Sequence, residues 1–480
     1  MKYRFGLYFL LSFIFFPVLT NAQDYHYWTE QFGGESSLMG GAVIAGVRDN
    51  SALFYNPAGL TFCDSNSISV SANIYKLQFT RFDNGLGEGV DLTYNRYAYY
   101  PQMISGRLNL FKDKRFSVGY GLFSRFSSRL RFHQRYSMLG DPIPARPGEE
   151  YFIGSMDFNN EFDEQWGGIG ISYRLNKNFA VGLTQFVTYR YQYYRAALSA
   201  RTVSNDTLFE MSSINVSEDA LYVNWRLVWK LGVVYDSRHF KAGITFTSPT
   251  VSFFGDADVQ RELSFYNLGD VIPGSIKSFL AIDRQVNLNI HYKLPWSIGF
   301  GLRWAGDNTE IEFAGEYFSE IAPYKAVDAE YHPVLYPPWV FGDDKTLKLV
   351  DVVSANAPVL NLALGFKHRF NDKYQGYGSI RTDNCFAPSP SSLSDGIWFI
   401  GRTWDMYHLT AGVSRYQKKS ILSAGLQFTM GSQSGMEQFA DFVNPDLENI
   451  LDGIVGNGMS GSDLGLSLIL GYTYFLGNSN

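Results

Sequence analysis

Apolar side chains recur at every second position in a long series of segments along this chain. The first such segment is 67–74, where isoleucine, valine and alanine alternate with serine and asparagine, and the last is 464–474. Alternation with a period of two is the pattern of a β-strand that has one apolar face. Its repetition along most of the chain predicts an all-β fold.

The connections between these segments alternate between short and long. Short polar turns lie near 112–115, 176–178, 236–239, 305–308, 371–373 and 417–419, and longer connections lie near 83–89, 133–150, 204–218, 255–285, 322–356, 386–402 and 433–461. These six short and seven long connections join fourteen strands. Short turns at one end and long loops at the other are typical of an outer-membrane barrel. We therefore predict a 14-stranded antiparallel transmembrane β-barrel.

The composition fits a barrel better than a soluble protein. Aromatic residues make up 17% of the chain, and clusters such as 97–100 lie near strand ends, where membrane barrels carry their aromatic girdles. The mean hydropathy is only −0.13, as expected when lipid-facing and lumen-facing residues alternate. A soluble all-β protein is the alternative, but it would have to cap its sheet edges in some other way.

The first residues have the features of a signal peptide. Lys2 and Arg4 precede an apolar run over 5–19, and 20–22 are small residues suited to cleavage. We predict a signal peptide over 1–22, with a retained membrane anchor as the alternative, and a location in the outer membrane of a Gram-negative bacterium. Removal of the signal peptide changes the net charge from −6 to −8, and this negative charge argues against a nucleic-acid partner.

An irregular segment separates the signal peptide from the first strand. Residues 33–62 contain too many glycines for a stable helix and lack the alternation of a strand. Asn56-Pro57-Ala58-Gly59 adds a rigid turn, because Pro57 restricts Asn56 to extended geometry. We predict that 23–61 forms a compact N-terminal hatch, or plug, and that 62–480 forms the barrel.

This segment resembles the hatch of the FadL-type family of outer-membrane transporters for long-chain fatty acids and other hydrophobic compounds. The resemblance rests on Met39–Ala42, Asp49–Ala52 and Asn56–Leu60, and on Leu294–Gly299 in the later part of the barrel. It implies passive uptake of long-chain fatty acids or other hydrophobic small molecules. It also implies lateral release through the barrel wall after the hatch moves.

Lumen-facing cations are the candidates for holding a fatty-acid carboxylate, because a partly desolvated anion requires a paired cation. Strand parity places several cations in the lumen, including Arg174 and Arg190, and we select Arg303, Lys367 and Arg369 among them. The alternative role for each is a salt bridge with lumen-facing glutamates. The apolar-tunnel candidates lie in the hatch, where each could instead pack against the wall: Leu38, Met39, Val43, Ile44, Leu53 and Phe54.

Several local features carry further expectations. Apolar residues at near-helical spacing predict a helix within 433–460, and 275–282 is a second candidate helix. Pro295 interrupts the hydrogen-bond ladder of the eighth strand and predicts a kink or bulge there. Cys63 and Cys385 could form a disulfide or remain apart, since two cysteines far apart in sequence do not decide it.

No enzymatic motif emerges from the sequence. The seven histidines are scattered without metal-ligand spacing, so we predict a non-enzyme without metal or cofactor, although barrels that are hydrolases exist. A second alternative is a related barrel that acts as a shuttle or scaffold for surface-secreted proteins, as in type IX secretion. The expected partners are the hydrophobic substrate, outer-membrane lipid and, during insertion, the barrel-assembly machinery. We expect a monomer.

Overall fold

The computed structural model describes most of the chain. The described residues are 25–63, 66–108, 110–111, 113–206, 209–268, 278–333, 335–336, 348–388, 396–399, 401–446 and 451–476. The predicted signal peptide lies outside them. Within these ranges, none of the helices has both the length and the apolar character needed to span a bilayer.

Antiparallel β-strands dominate the described chain. They are β1 Ser67–Asp83, β2 Leu92–Leu108, β3 Phe116–Gly140, β4 Glu150–Arg174, β5 Phe179–Ser204, β6 Met211–Asp236, β7 Phe240–Thr247, β8 Val251–Tyr266, β9 Ser278–Leu288, β10 Ser297–Ala305, β11 Thr309–Phe318, β12 Ile321–Val327, β13 Leu335–Tyr336, β14 Val352–Asn356, β15 Val359–Arg369, β16 Tyr374–Asp383, β17 Met406–Tyr416, β18 Ser420–Met436 and β19 Met459–Phe475.

The strands close into a barrel. The first and last strands, β1 and β19, pair in antiparallel register from Ser67 opposite Phe475 to Asp83 opposite Ser460. Four crossings of the wall each consist of two consecutive segments, namely β7 with β8, β9 with β10, β11 with β12, and β14 with β15. When these pairs are counted as single strands and the two-residue β13, which pairs with β9, is left out, the closed barrel has fourteen strands, and the predicted fold is confirmed.

Some predicted loops are strand instead. β3 to β6 each contain 25 or 26 residues, so the connections predicted at 133–150 and 204–218 shrink to 141–149 and 205–210. A strand of 25 residues is about 80 Å long, far more than a bilayer requires. Arg131, His133 and Arg135 show why the prediction was wrong. They face outward above the membrane, where water replaces lipid and the apolar half of the alternation is lost.

An apolar belt surrounds the barrel on its outer face. Its members are exposed large side chains that alternate with inward-facing ones, for example Ile169 at 68% exposure, Ile244 at 60% and Leu409 at 58%. Closure of the barrel pairs the first strand with the last, so such a belt can lie against lipid without leaving a free sheet edge there. The barrel is therefore built to span a membrane.

The predicted loop helices are wrong where they can be judged. Residues 278–282 begin β9, and 275–277 lie outside the described residues. In the other loop β18 continues to Met436, and the described residues 437–446 and 451–458 contain no helix. The near-helical spacing reflects burial instead, because Phe439, Phe442 and Leu451 insert into an apolar core in the extracellular half of the barrel.

Candidate functional site

An N-terminal segment, residues 25–63, packs inside the barrel before β1 begins. It contains two short helices, α1 (Gly34–Leu38) and α2 (Ala52–Tyr55), followed by a 3-10 helix over Pro57–Phe62. The Asn56 side chain accepts a hydrogen bond from the Ala58 amide at 3.2 Å and caps the 3-10 helix. Asn56 also donates to the carbonyl oxygens of Ile44 at 2.9 Å and Val233 at 3.2 Å. The Asn-Pro turn thus fastens the segment to the wall.

The barrel wall is glycine where this segment touches it. A Cβ atom built on Gly243 would lie 2.3 Å from the carbonyl oxygen of Ile44, and one on Gly182 would lie 2.4 Å from the carbonyl carbon of Pro57. Close contacts of this kind recur around the barrel and define a glycine ring: Gly119, Gly170, Gly182, Gly232, Gly243, Gly299, Gly301, Gly365, Gly412, Gly425 and Gly471. The segment therefore seats almost backbone to backbone, which leaves little room for a tunnel at this level.

All six apolar-tunnel candidates are buried, in the part of the segment that contacts the glycine ring. Leu38 packs against Gly412 and Gly425, Leu53 packs against Gly119 and Gly170, and Met39, Val43 and Ile44 also occupy the interface with the wall. Phe54 differs because it also lines a pocket in the lumen. The tunnel role stays a prediction for all six.

The three carboxylate-binding candidates do not come together. Arg303 forms a salt bridge with Glu310 at 2.5 Å, and Lys367 forms one with Glu35 of α1 at 3.2 Å. Arg369 is exposed at the short-turn end, where it donates to the carbonyl oxygen of Asp307 at 2.9 Å. Their role in carboxylate binding stays a prediction, and the geometry favours ion pairing for Arg303 and Lys367.

The wall has a gap between β2 and β3. Their backbone ladder covers only Met103–Leu108 opposite Val118–Phe123. Above this point, 92–102 of β2 pairs with β1, and 124–140 of β3 pairs with β4. Pro101, which has no amide hydrogen, stands in β2 at the lower end of this opening. We refer to it as the β2–β3 gap.

Only a few side-chain bonds reach across the gap. The Arg96 guanidinium on β2 donates to the Ser127 carbonyl oxygen at 2.9 Å and to its hydroxyl at 3.0 Å. Lower down, the Ser124 hydroxyl donates to the carbonyl oxygen of Pro101 at 2.8 Å. Such bonds exchange with water more readily than a continuous ladder does, so the two edges can separate.

The N-terminal segment lies behind the gap and contacts both of its edges. Glu30 accepts hydrogen bonds from Lys76 and Tyr100 at 2.5 Å each and from Gln102 at 3.0 Å, and the last two belong to β2. Burial raises the pKa of Glu30, but the Lys76 charge and these bonds outweigh it and hold the pKa below its usual value. On the other edge, Arg125 of β3 donates to the carbonyl oxygen of Tyr27.

Tyr27 is itself fixed deep in the lumen. Its ring stacks between Phe318 and Phe386, with centroids 4.1 Å away on each side. Its hydroxyl accepts a hydrogen bond from Asn356 at 2.6 Å. Residues 27–30 therefore link the two edges of the gap to the opposite side of the barrel.

A central pocket lies beside Tyr27. The space open to the centre of a water molecule is about 30 Å³, enough for water and too small for a larger guest without movement. Its lining combines aromatic and aliphatic side chains with three charged ones: Tyr27, Phe54, Arg125, Phe126, Trp166, Val228, Lys230, Thr247, Ser248, Leu294, Pro295, Ser297, Glu316 and Phe318. Among the described residues, no group of three His, Cys, Asp or Glu is placed to hold a metal ion.

Two cations that line this pocket, Arg125 and Lys230, were not among the predicted site residues. Arg125 has the same lumen-facing parity as Gly121 and Phe123 in the lower part of β3, and the bulge between Ser124 and Phe126 changes the parity only beyond it. Lys230 of β6 keeps regular parity, inward like Arg226 and Val228, and strand parity alone could have identified it. Glu30 lies in irregular chain, where no periodic signal exists.

Comparisons with known proteins agree with this architecture. No family model matches the chain. A curated sequence of Neisseria meningitidis serogroup B, described as outer membrane protein NMB0088, is 43% identical over 65 residues, which is 14% of this chain and 14% of that relative. The match therefore spans only a small part of the relative's length.

Solved structures match over nearly the whole chain. A FadL homologue of Pseudomonas aeruginosa has a TM-score of 0.54 at 13% identity, over 95% of this chain and 100% of that one. The toluene transporter TodX of P. putida gives 0.55 at 13%, over 93% and 99%. The toluene transporter TbuX of Ralstonia pickettii gives 0.53 at 13%, over 93% and 98%.

A closed barrel with this architecture and an apolar outer belt is a protein of the Gram-negative outer membrane. The chain has the fold of the FadL-type outer-membrane barrels, the group that its N-terminal motif resembles.

Proposed function

We propose that the protein is a passive route for hydrophobic small molecules across the outer membrane, and that long-chain fatty acids are among its substrates. The observation that carries this proposal is the β2–β3 gap, which meets the lumen where the N-terminal segment is tied to both edges. The similarity in fold to transporters of toluene supports the substrate class.

In this proposal residues 23–61 act as the hatch. The seat in the glycine ring closes the barrel, so straight passage to the short-turn end is blocked. A substrate that enters from the extracellular side is instead released sideways into the bilayer through the gap. Lateral release keeps apolar surface out of water, which avoids a cost of about 25 cal/mol for each Å² exposed.

Movement of the hatch supplies the gate. Residues 27–30 must shift before cargo reaches the gap, because Glu30 and Tyr27 bond to its two edges. Breaking these bonds loosens the upper part of β2, which is then held by β1 and, across the gap, by the Arg96 bridge and the Ser124 bond to Pro101. The substrate therefore needs no energy source beyond its own gradient. We further propose that the protein works as a monomer and is inserted by the barrel-assembly machinery.

The test closes the gap by cross-linking. Arg96 and Ser127 are each replaced by cysteine in a variant whose Cys63 and Cys385 are serine, and a short bis-maleimide joins them, since a long side chain spans a distance greater than a disulfide allows. Uptake of radiolabelled oleate is then measured in Gram-negative cells that lack their own fatty-acid transporter. We expect the linker to abolish most of the uptake that expression of the protein adds.

The matched control places the same linker between Leu77 and Tyr97, which are already paired in the ladder of β1 and β2. This link should leave uptake unchanged. Unimpaired uptake with the gap linked would refute lateral release at this place. If the unlinked protein adds no uptake of oleate or toluene although it is folded in the outer membrane, transport itself is refuted, and the shuttle becomes the better hypothesis.

A further inference from the structure

Four neighbouring strands, β3 to β6, rise well above the apolar belt. On the outer face of β4, Ile171 and Ile169 belong to the belt, and Asp163 is the first carboxylate above them. β4 continues past Asp163 to Glu150, a further length of about 40 Å at a rise of about 3.3 Å per residue. The upper part of these strands therefore stands outside the hydrocarbon of the membrane.

The two faces of this upper part differ. The inward side chains of 130–138, 152–158 and 194–200 pack in the apolar core of the extracellular half. The register of β3, β4 and β5 then arranges the outward side chains in four rows of three. We call these rows the arginine face: Arg131, Asn159 and Arg195; His133, Asp157 and Ala197; Arg135, Ser155 and Ser199; and Ser137, Ile153 and Arg201.

The arginine face is positively charged. It carries an arginine in three of its four rows, two of them in the lowest row, and its one carboxylate is that of Asp157, 3.9 Å from the ring of His133. The chain as a whole has the opposite sign, with a net charge of −6. The positive charge is therefore a local property of this surface and not a consequence of the composition.

Neighbouring carboxylates neutralise only part of this charge. Asp219 of β6 lies 3.3 Å from Arg195, and Glu161 pairs with Arg129 just below the face. Three arginines form no hydrogen bond or ion pair with other described residues: Arg131, Arg135 and Arg201. Each guanidinium group has five donors, so these three are available to an anion outside the protein.

Hydroxyl groups lie between the two upper arginines. Arg135 stands on β3 and Arg201 stands on β5, one row higher, with Ser155 and Ser199 between them. Ser199 is only 7% exposed, and its hydroxyl is 2.8 Å from that of Ser155. The small side chains form the floor of a shallow depression that is about 10 Å wide, since adjacent strands are about 4.8 Å apart. Guanidinium groups at both sides and hydroxyl groups below suit a phosphate carried on a sugar.

We propose that the arginine face binds the phosphorylated sugars of the lipid in the outer leaflet, with Arg135 and Arg201 holding a phosphate over the serine hydroxyls. The face lies above the apolar belt, at the height where the sugars of lipopolysaccharide surround an outer-membrane barrel. Its positive charge complements phosphate. Only Ile153 and Ala197 are apolar, too few for the core of a protein interface. The face also adjoins the β2–β3 gap, because β3 forms one edge of that gap.

The experiment uses lipopolysaccharide with a short phosphorylated sugar chain, and the same material after enzymatic removal of its phosphates. Binding of each to the folded protein is measured in detergent, with EDTA present so that divalent cations do not mask the phosphates. The variant combines Arg135→Gln with Arg201→Gln. The matched control combines Arg238→Gln with Arg415→Gln, which removes the same charge from two exposed arginines at the short-turn end.

We expect the variant to bind the phosphorylated lipid roughly tenfold more weakly than the wild type, because each lost arginine removes charge-assisted hydrogen bonds. The control should match the wild type, and the dephosphorylated lipid should bind all three proteins equally. Replacement of Arg135 and Arg201 by lysine keeps the charge and should recover part of the affinity. All these proteins should keep the mobility of a folded barrel in cold detergent, because the substituted side chains lie on the surface.

An unchanged affinity in the variant, an equal loss in the control, or an equal loss for the dephosphorylated lipid would overturn the inference. Phosphatidylglycerol is measured alongside, and a loss as large as that for lipopolysaccharide would also overturn it, since the face would then attract any anionic lipid. In each of these cases a protein partner becomes the better hypothesis for the face, and the proposed uptake of hydrophobic molecules is unaffected.

Discussion

Glu30→Gln tests whether the N-terminal segment is held at the gap by charge. Glu30 is 1% exposed and Lys76 is 12% exposed, and their salt bridge measures 2.5 Å. Removing one member of a buried ion pair leaves the other charge uncompensated and costs about 3–5 kcal/mol. Because glutamine keeps the size and one acceptor oxygen, we expect about 3 kcal/mol, at the lower end of that range.

The cost should appear in local opening rather than in unfolding of the barrel. The amides of Trp28, Phe32 and Gly33 donate to Asp383, to the Tyr55 hydroxyl and to the Ser71 hydroxyl respectively. If the segment opens as a unit, hydrogen exchange at these amides should accelerate roughly a hundredfold, since each 1.4 kcal/mol is a factor of ten.

The assay is hydrogen exchange followed by mass spectrometry on the folded protein in detergent. Glu310→Gln serves as the control. It also breaks a salt bridge, in this case with Arg303, but it lies in the wall away from residues 28–33. Protection of residues 28–33 that changes less than threefold in Glu30→Gln, or as much in the control, would refute the argument that this buried charge holds the segment.

Three further outcomes follow from the same region. Burial raises the pKa of Asp49 to about 6, so protonated Asp49 stabilises the folded segment. This stabilisation is fully present below about pH 4 and is lost as the pH rises through 6. Hydrogen exchange of the segment should show this loss of protection with rising pH in the wild type and not in Asp49→Asn. Gly243→Val places a side chain against the Ile44 carbonyl and should make the segment protease-sensitive while the barrel still resists unfolding in cold detergent; full protease resistance would contradict this. No disulfide joins Cys63 to Cys385, so a reducing agent should leave the unfolding temperature unchanged.

The number of strands was predictable because each crossing of the bilayer requires an alternating apolar pattern, and these patterns can be counted in the sequence. Wherever a strand crosses lipid, every second residue must be apolar, and Ile169 and Ile171 follow that rule. Above the membrane the rule lapses, which is why the extent of β3 past Arg131 was underestimated. The break between β9 and β10 at Pro295 was predictable, because proline lacks the amide hydrogen that a ladder requires.

The lumen was harder to anticipate, since a cation's role depends on its partners. Arg303 and Lys367 face inward as predicted, yet both form salt bridges with glutamates, Arg303 with Glu310 and Lys367 with Glu35. Arg125 has the lumen-facing parity of the lower part of β3, yet it was not selected. The partner of a buried cation is not visible in a single sequence, so strand parity can select inward cations but cannot rank them.

The glycine ring also constrains the order in which the barrel is made. Gly34, near the start of the described chain, packs on Gly471 of β19, the last strand. The segment touches β17 and β18 just as closely, through Leu38 against Gly412 and Gly425. With so little clearance, a finished barrel offers no room for a bulky segment to slide into place. We therefore expect β1 and β19 to pair only after the N-terminal segment is in position, so that the order of assembly places the first part of the chain before the last.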